Sequence, residues 1–133
     1  MLKNFFLVGL GGFFGAAGRY GVSLLLTTGN SGHEFPRGTF VANLLGCLFI
    51  GALAALFEYK WQHGGKLSSA AVLFFVTGFL GGFTTFSTFS FETLTLLRNH
   101  AYTTALLYAL GSLVLGTLLA GLGYFSARTF SSF

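Results

Sequence analysis

The stretch Gly81–Glu92, GGFTTFSTFSFE, decides how the rest of the chain is read. Two adjacent glycines lead into the hydroxyl residues Thr84, Thr85, Ser87, Thr88 and Ser90, threaded between Phe83, Phe86, Phe89 and Phe91. The stretch ends a run, Leu67 to Phe91, that contains no Asp, Glu, Lys or Arg. A run of that length matches the roughly 20 residues a helix needs to cross the hydrocarbon layer of a bilayer. Hydroxyls and helix-weakening glycines inside a lipid-crossing segment call for a chemical reason.

The rest of the chain supports the membrane reading. Of 133 residues, 53% are hydrophobic and 8% charged, with a mean hydropathy of +0.76. Soluble domains carry about a quarter charged residues. Further runs free of acidic and basic residues extend from Gly38 to Phe57 and from Asn99 to Ala127, and a fourth apolar segment near the N-terminus is interrupted by Arg19. The expected fold is an all-α integral membrane protein. Its four helices are placed at about 4–27, 36–57, 68–97 and 101–127, in a single domain covering 1–133. The start, MLKNFFLVGLGGFFGAA, has the outline of a signal peptide. Because everything after it also spans, it is read as a retained first helix. The lone Cys47 allows no internal disulfide.

Basic residues in the loops set orientation. With four spans, Lys3, Lys60, Lys66 and Arg128 fall on one side. Arg37 and Arg98 fall on the other, joined by Arg19 if it snorkels that way. This bias is weak, and such a chain can insert both ways up. The net charge of +4 includes no basic cluster, so a nucleic-acid partner is not expected.

Helix 1 carries Gly9, Gly11, Gly12, Gly15, Gly18 and Gly21. These glycines follow no strand, so a nucleotide loop is a poor reading. Gly11 and Gly15 form a GxxxG pair that admits close approach of another helix, within a subunit or between subunits. Gly111, Gly116, Gly121 and Gly123 offer the same in helix 4. A bundle of four helices is too thin to enclose a wide aqueous path. Whatever crosses is very small or passes between subunits, which favours an oligomer.

Two readings of Gly81-Gly82 stay open. Glycine costs about 1 kcal/mol in a helix relative to alanine, and the hydroxyls of Thr84-Thr85 compete for backbone groups. A break here frees carbonyls at membrane depth, which survive only when buried in protein or lining a polar cavity and which suit a hard cation. Alternatively the pair packs closely in an unbroken helix. The phenylalanines also have two readings. Phe83, Phe86 and Phe89 recur every three residues, with Thr84, Ser87 and Ser90 as one flanking stripe and Thr85, Thr88 and Glu92 as another. Aromatic ring edges are electropositive, so edges beside hydroxyls can replace part of an anion's hydration shell. The plain reading is packing phenylalanine, with the hydroxyls bonded back to the i−4 carbonyls.

Other polar groups inside the spans are Asn43, Arg19, and the helix-4 face of Tyr108, Ser112 and Thr117. Asn43 can serve as interhelical glue, and Arg19 as a snorkelling cation or a functional charge. The spans hold donors and a single acid, Glu92, near the end of its helix. A proton-coupled cation exporter would place a carboxylate deep in the membrane, so the balance leans to a small anion.

The strings GGFTTFSTFSFE at 81–92, RGTFVANLLGCLFIG at 37–51 and GRYG at 18–21 resemble the Fluc-type fluoride channel family, also called CrcB. The resemblance covers essentially the whole chain, with Phe83 standing where a leucine is frequent. It implies an antiparallel, dual-topology homodimer with two fluoride pores and one central Na⁺ at the interface, in the bacterial inner membrane, exporting fluoride passively. It implies that the backbone carbonyls of Gly81 and Thr84 hold the Na⁺. Phe86 and Phe89 would present ring edges to the pore, and Asn43 would lie on the path. Tyr108, Ser112 and Thr117 would form a helix-4 track, with Arg19 near a vestibule and Ser87, Thr88 and Glu92 as further polar groups. The partners implied are fluoride, the lipid bilayer and a second copy. One rival, a small multidrug exporter, depends on a glutamate in helix 1, which has none here. The other is an accessory membrane subunit without transport of its own. An enzyme is not expected, because the spans lack a nucleophile–base pair.

Overall fold

The structure is a computed structural model that describes residues 1–26, 34–63 and 68–131. Helix α1 spans Leu2–Leu26 and α2 spans Arg37–Gln62. Helix α3 covers 69–83 as a turn at Ser69–Ala71, a π-helical segment Val72–Leu80 and a turn at Gly81–Phe83. Helix α4 spans Phe86–Arg98 and α5 spans Tyr102–Ser131. The basic residue Lys66 lies outside the described residues. Four helical stretches, Leu2–Leu26, Arg37–Gln62, Ser69–Arg98 and Tyr102–Phe130, are long and apolar enough to cross a membrane. Large apolar side chains such as Phe6, Phe13, Leu107, Leu113 and Leu118 face outward. In water that surface would associate; in lipid it is the solvent-compatible one. The chain is an all-helical, multi-pass membrane protein.

Small residues decide which helices touch. α1 lies along α3, and α2 lies along α5. A Cβ on Gly11 would meet Phe79 N at 2.8 Å, and one on Gly15 would meet Phe83 N at 2.8 Å. The GxxxG pair thus acts within the subunit, bringing the α1 backbone onto α3. On the other pair of helices, Gly51 sits against Ala120, and Gly123 against Leu48. Of the α5 glycines, Gly123 makes the backbone contact and Gly116 faces Cys47 Sγ at 3.2 Å from an added Cβ, whereas Gly121 has open space around it.

The third span differs from expectation in where its regularity fails. Gly81 is helical, at φ −62° and ψ −33°, and its N–H reaches back to Val76 O in the wide π pattern. The extended residues are Thr84, at φ −90° and ψ 154°, and Thr85, at φ −150° and ψ 120°. Gly82 stays helical because its backbone is packed on Gly12, where a Cβ would stand 2.6 Å from Gly12 O. Burying backbone against backbone offsets the conformational cost of a helical glycine. Thr85 then starts α4 as its N-cap: its hydroxyl accepts from Thr88 N at 3.2 Å, as a side-chain oxygen does at a helix start.

At the far end of α4, Ala101 N donates to Leu96 O and His100 N to Leu97 O, with His100 at φ 59°. This left-handed turn reverses the chain into α5. It closes a small core of Leu96, Ala105 and Tyr108, packed by Phe35, Phe40 and Phe89.

Candidate ion pathway

A cavity of about 530 Å³ opens between α2, α3, α4 and α5, lined among others by Asn43, Gly81, Thr84, Phe86, Phe89 and Ser112. It collects the candidates that the sequence spread over three helices. The Phe86 and Phe89 rings lie 5.8 Å apart between centroids, tilted by 36°. Phe86 is 80% exposed in the subunit, while Phe89 is backed by Tyr108 at 5.1 Å. Phe83 does not continue their stripe. It lies before the extended residues, buried and stacked on Phe79 at 5.7 Å.

Asn43 holds the chain where regular hydrogen bonding stops. Its Oδ1 accepts from Thr85 N at 2.8 Å, and its Nδ2 donates to Thr85 O at 3.2 Å. The side-chain amide thus pairs with both backbone groups of one extended residue, as a neighbouring strand would. Buried backbone groups require such partners. An amide nitrogen carries two N–H donors, and Thr85 uses one of them. Asn43 thus ties α2 to the extended residues and also lines the cavity.

The remaining carbonyls at the end of α3 divide into taken and free. Leu80 O accepts from Thr84 N and from Thr84 Oγ1, each at 2.9 Å. Gly82 O accepts from Arg19 Nε at 3.2 Å. Arg19 therefore reaches into the helix junction, half-buried. The carbonyls of Gly81 and Thr84 receive no hydrogen bond among the described residues. Both residues line the cavity.

Behind Phe89, Glu92 is clamped between helices. Its Oε1 accepts from Thr39 Oγ1 at 2.8 Å and its Oε2 from Tyr108 OH at 2.6 Å. Tyr108 is fully buried and lies behind Phe89, away from the cavity lining. Thr39 was missed in the sequence, although Thr39, Asn43 and Gly46 follow i, i+4, i+7 and so share one face of α2. The Ser112 Oγ is buried with no hydrogen-bond partner among the described residues. A hydroxyl left so costs free energy unless something else meets it.

Other candidates lie apart. Thr117 Oγ1 bonds back to Leu113 O at 2.8 Å on an exposed face of α5. Of the hydroxyls threaded between the phenylalanines, Thr84 bonds back to its i−4 carbonyl, as the plain reading has it; Thr93 and Thr95, further along α4, do the same. Ser87 and Thr88 cluster on Thr85, with hydroxyl distances of 3.3 and 3.1 Å to its Oγ1. They stiffen the N-cap outside the cavity lining.

The cavity thus brings together an amide, two aromatic rings and two carbonyls that have no donor among the described residues, with the Ser112 hydroxyl buried in its wall. Comparison with known proteins fits it. The protein of Azobacteroides pseudotrichonymphae named fluoride-specific ion channel FluC is 44% identical over 131 residues, 98% of this chain and 100% of that relative. A protein of the same name from Thermus thermophilus is 46% identical over 123 residues, 92% of this chain and 94% of the relative. The one from Paracoccus denitrificans is 45% identical over 124 residues, again 92% and 94%. All three names describe ion channels, a non-enzymatic function. Residues 6–124 match the family described as CrcB-like protein, Camphor Resistance (CrcB). This chain belongs to the CrcB-like family.

Proposed function

We propose that the chain is a passive fluoride channel of the bacterial inner membrane, working as an antiparallel homodimer with two pores. The observation that carries the reading is the cavity that brings Asn43, Phe86, Phe89 and Ser112 together, in a chain whose relatives are named for fluoride. Fluoride is small and strongly hydrated, so it needs donors at close range. The second Asn43 N–H supplies one, the buried Ser112 hydroxyl a second once its side chain rotates toward the cavity, and the ring edges of Phe86 and Phe89 supply electropositive C–H groups. Among the described residues, no acidic side chain lines the cavity to repel an anion. It opens toward the outside of the subunit, with Phe86 exposed, and a second copy is the wall that completes it.

A structural Na⁺ at the interface belongs to the same reading. The residues present fit it. The carbonyls of Gly81 and Thr84 are free of donors among the described residues, whereas that of Thr85 is held by Asn43 and that of Gly82 by Arg19. Converging neutral carbonyls suit a hard monovalent cation. Bound there, Na⁺ supplies a fixed positive charge that favours an anion nearby.

Production of the protein in a bacterium lacking its own fluoride export is expected to restore growth on fluoride-containing acidic medium. Growth no better than with an empty vector overturns the reading. Asn43→Asp is expected to lower fluoride efflux from liposomes by about tenfold or more, because it adds negative charge to the path and turns an oxygen toward Thr85 O. The same substitution lowers Tm. Normal efflux with normal Tm removes Asn43 from the path.

A further inference from the structure

The two extended residues, Thr84 and Thr85, are gripped by neighbouring turns of one α2 face. Asn43 takes Thr85. One turn on, Gly46 receives Thr84: it is buried, and a Cβ built there would collide with the Thr84 Cγ2 methyl. We infer that Gly46 is a positioning residue, its bare Cα serving as the seat that fixes the Thr84 backbone, and with it the Thr84 carbonyl offered to the cation. The inference rests on the proposed Na⁺ role of that carbonyl.

The geometry leaves Thr84 little freedom. A rotation about its Cα–Cβ bond would carry the methyl clear of Gly46, but the rotamer is held by the bond from Thr84 Oγ1 to Leu80 O at 2.9 Å. Threonine is stiff about this bond in any case. A methyl added at Gly46 must therefore break that hydrogen bond or push the Thr84 backbone away. The other end of the same peptide is pinned. The unit joining Thr84 C=O to Thr85 N–H is planar and trans, so its carbonyl points opposite to the N–H that Asn43 Oδ1 holds at 2.8 Å. Asn43 sets one end of this plate and Gly46 the other. Together they aim the Thr84 carbonyl away from Asn43.

The seat also has a built-in complement. Beyond the Thr84 methyl, the nearest atoms to a Cβ at Gly46 are Thr84 Cβ at 3.6 Å and Phe83 Cδ1 at 3.8 Å, both ordinary contacts. Serine at position 84 keeps the hydroxyl bonded to Leu80 O and removes only the colliding methyl. Gly46→Ala with Thr84→Ser moves one methyl across the contact and conserves volume, the kind of exchange that packed interiors tolerate.

The test measures sodium binding apart from transport, as the rise in Tm of the purified protein when Na⁺ replaces a large organic cation at constant ionic strength. A bound ion stabilises in proportion to its occupancy. Gly46→Ala is expected to raise the Na⁺ concentration for half the stabilisation by about tenfold or more, the effect of overpacking by one methyl. Fluoride efflux from liposomes is expected to show the same displacement. In the double variant Gly46→Ala/Thr84→Ser, half-stabilisation is expected to return to within about threefold of wild type. Gly46→Ala with an unshifted sodium response overturns the assignment. So does a double variant that stays unfolded or stays displaced, since Gly46 would then be needed for helix packing in general. A wild type whose Tm ignores Na⁺ overturns the cation reading and this assignment together, a result distinguishable from either of the others.

Discussion

Phe86→Ile and Phe89→Ile are each expected to cut fluoride efflux by about a hundredfold, which corresponds to about 2.7 kcal/mol on the barrier. Isoleucine keeps the apolar bulk and removes the ring with its electropositive edge. The two positions differ in what else they do. Phe86 is 80% exposed in the subunit and supports little of its fold, so its variant should elute and melt like the wild type. Phe89 packs on Tyr108 at 5.1 Å, beside the core of Leu96 and Ala105. Its variant should also lose about 1–3 kcal/mol of stability. Size-exclusion chromatography, thermal melting and fluoride-electrode efflux separate these effects. Wild-type efflux from an intact Phe86→Ile dimer removes the rings from the pathway.

Gly81→Val is expected to abolish dimer formation and efflux together while leaving the subunit helical. The expectation comes from the space around the residue. Gly81 is exposed at the cavity, and the nearest atom to an added Cβ is Val76 O at 3.9 Å. An added Cβ meets only ordinary contact within one subunit, so the damage is expected between subunits, where the Gly81 carbonyl would meet the proposed shared cation. Its neighbour behaves in the opposite way. A Cβ on Gly82 stands 2.6 Å from Gly12 O, so Gly82→Ala should destabilise the subunit itself by about 1–3 kcal/mol. Circular dichroism and cross-linking in detergent distinguish the two. A Gly81→Val protein that remains dimeric and conducts takes Gly81 out of the interface. Exhaustive replacement of Na⁺ on both sides of the membrane should likewise silence the wild type.

The spans were legible in the sequence because runs without charge are a direct consequence of the lipid solvent. The close approach at Gly11 and Gly15 was legible as well, since small residues four apart share a helix face. The site of the extended residues was not. Local propensity points at Gly81-Gly82, the weakest helix formers in the segment. Packing on Gly12 keeps Gly82 helical, and the irregularity moves to Thr84-Thr85, where Asn43, 42 residues earlier, supplies a peptide-like partner. A partner that distant leaves no local trace. The shift separates Phe83 from Phe86 and Phe89, which a uniform three-residue repeat had joined. It also gives the Thr85 hydroxyl its backbone partner, Thr88 N, the kind of competition for backbone groups expected at Thr84-Thr85. Arg19 was legible as a costly charge inside a helix, but its acceptor, Gly82 O, exists only because the helix ends nearby.

Fluoride permeation is tested most directly with purified protein in liposomes loaded with potassium fluoride, with valinomycin to carry the balancing charge and a fluoride-selective electrode outside. A passive channel releases the trapped fluoride rapidly after valinomycin is added, with no proton gradient and no nucleotide. Release no faster than from protein-free liposomes, by folded and dimeric protein, contradicts the channel.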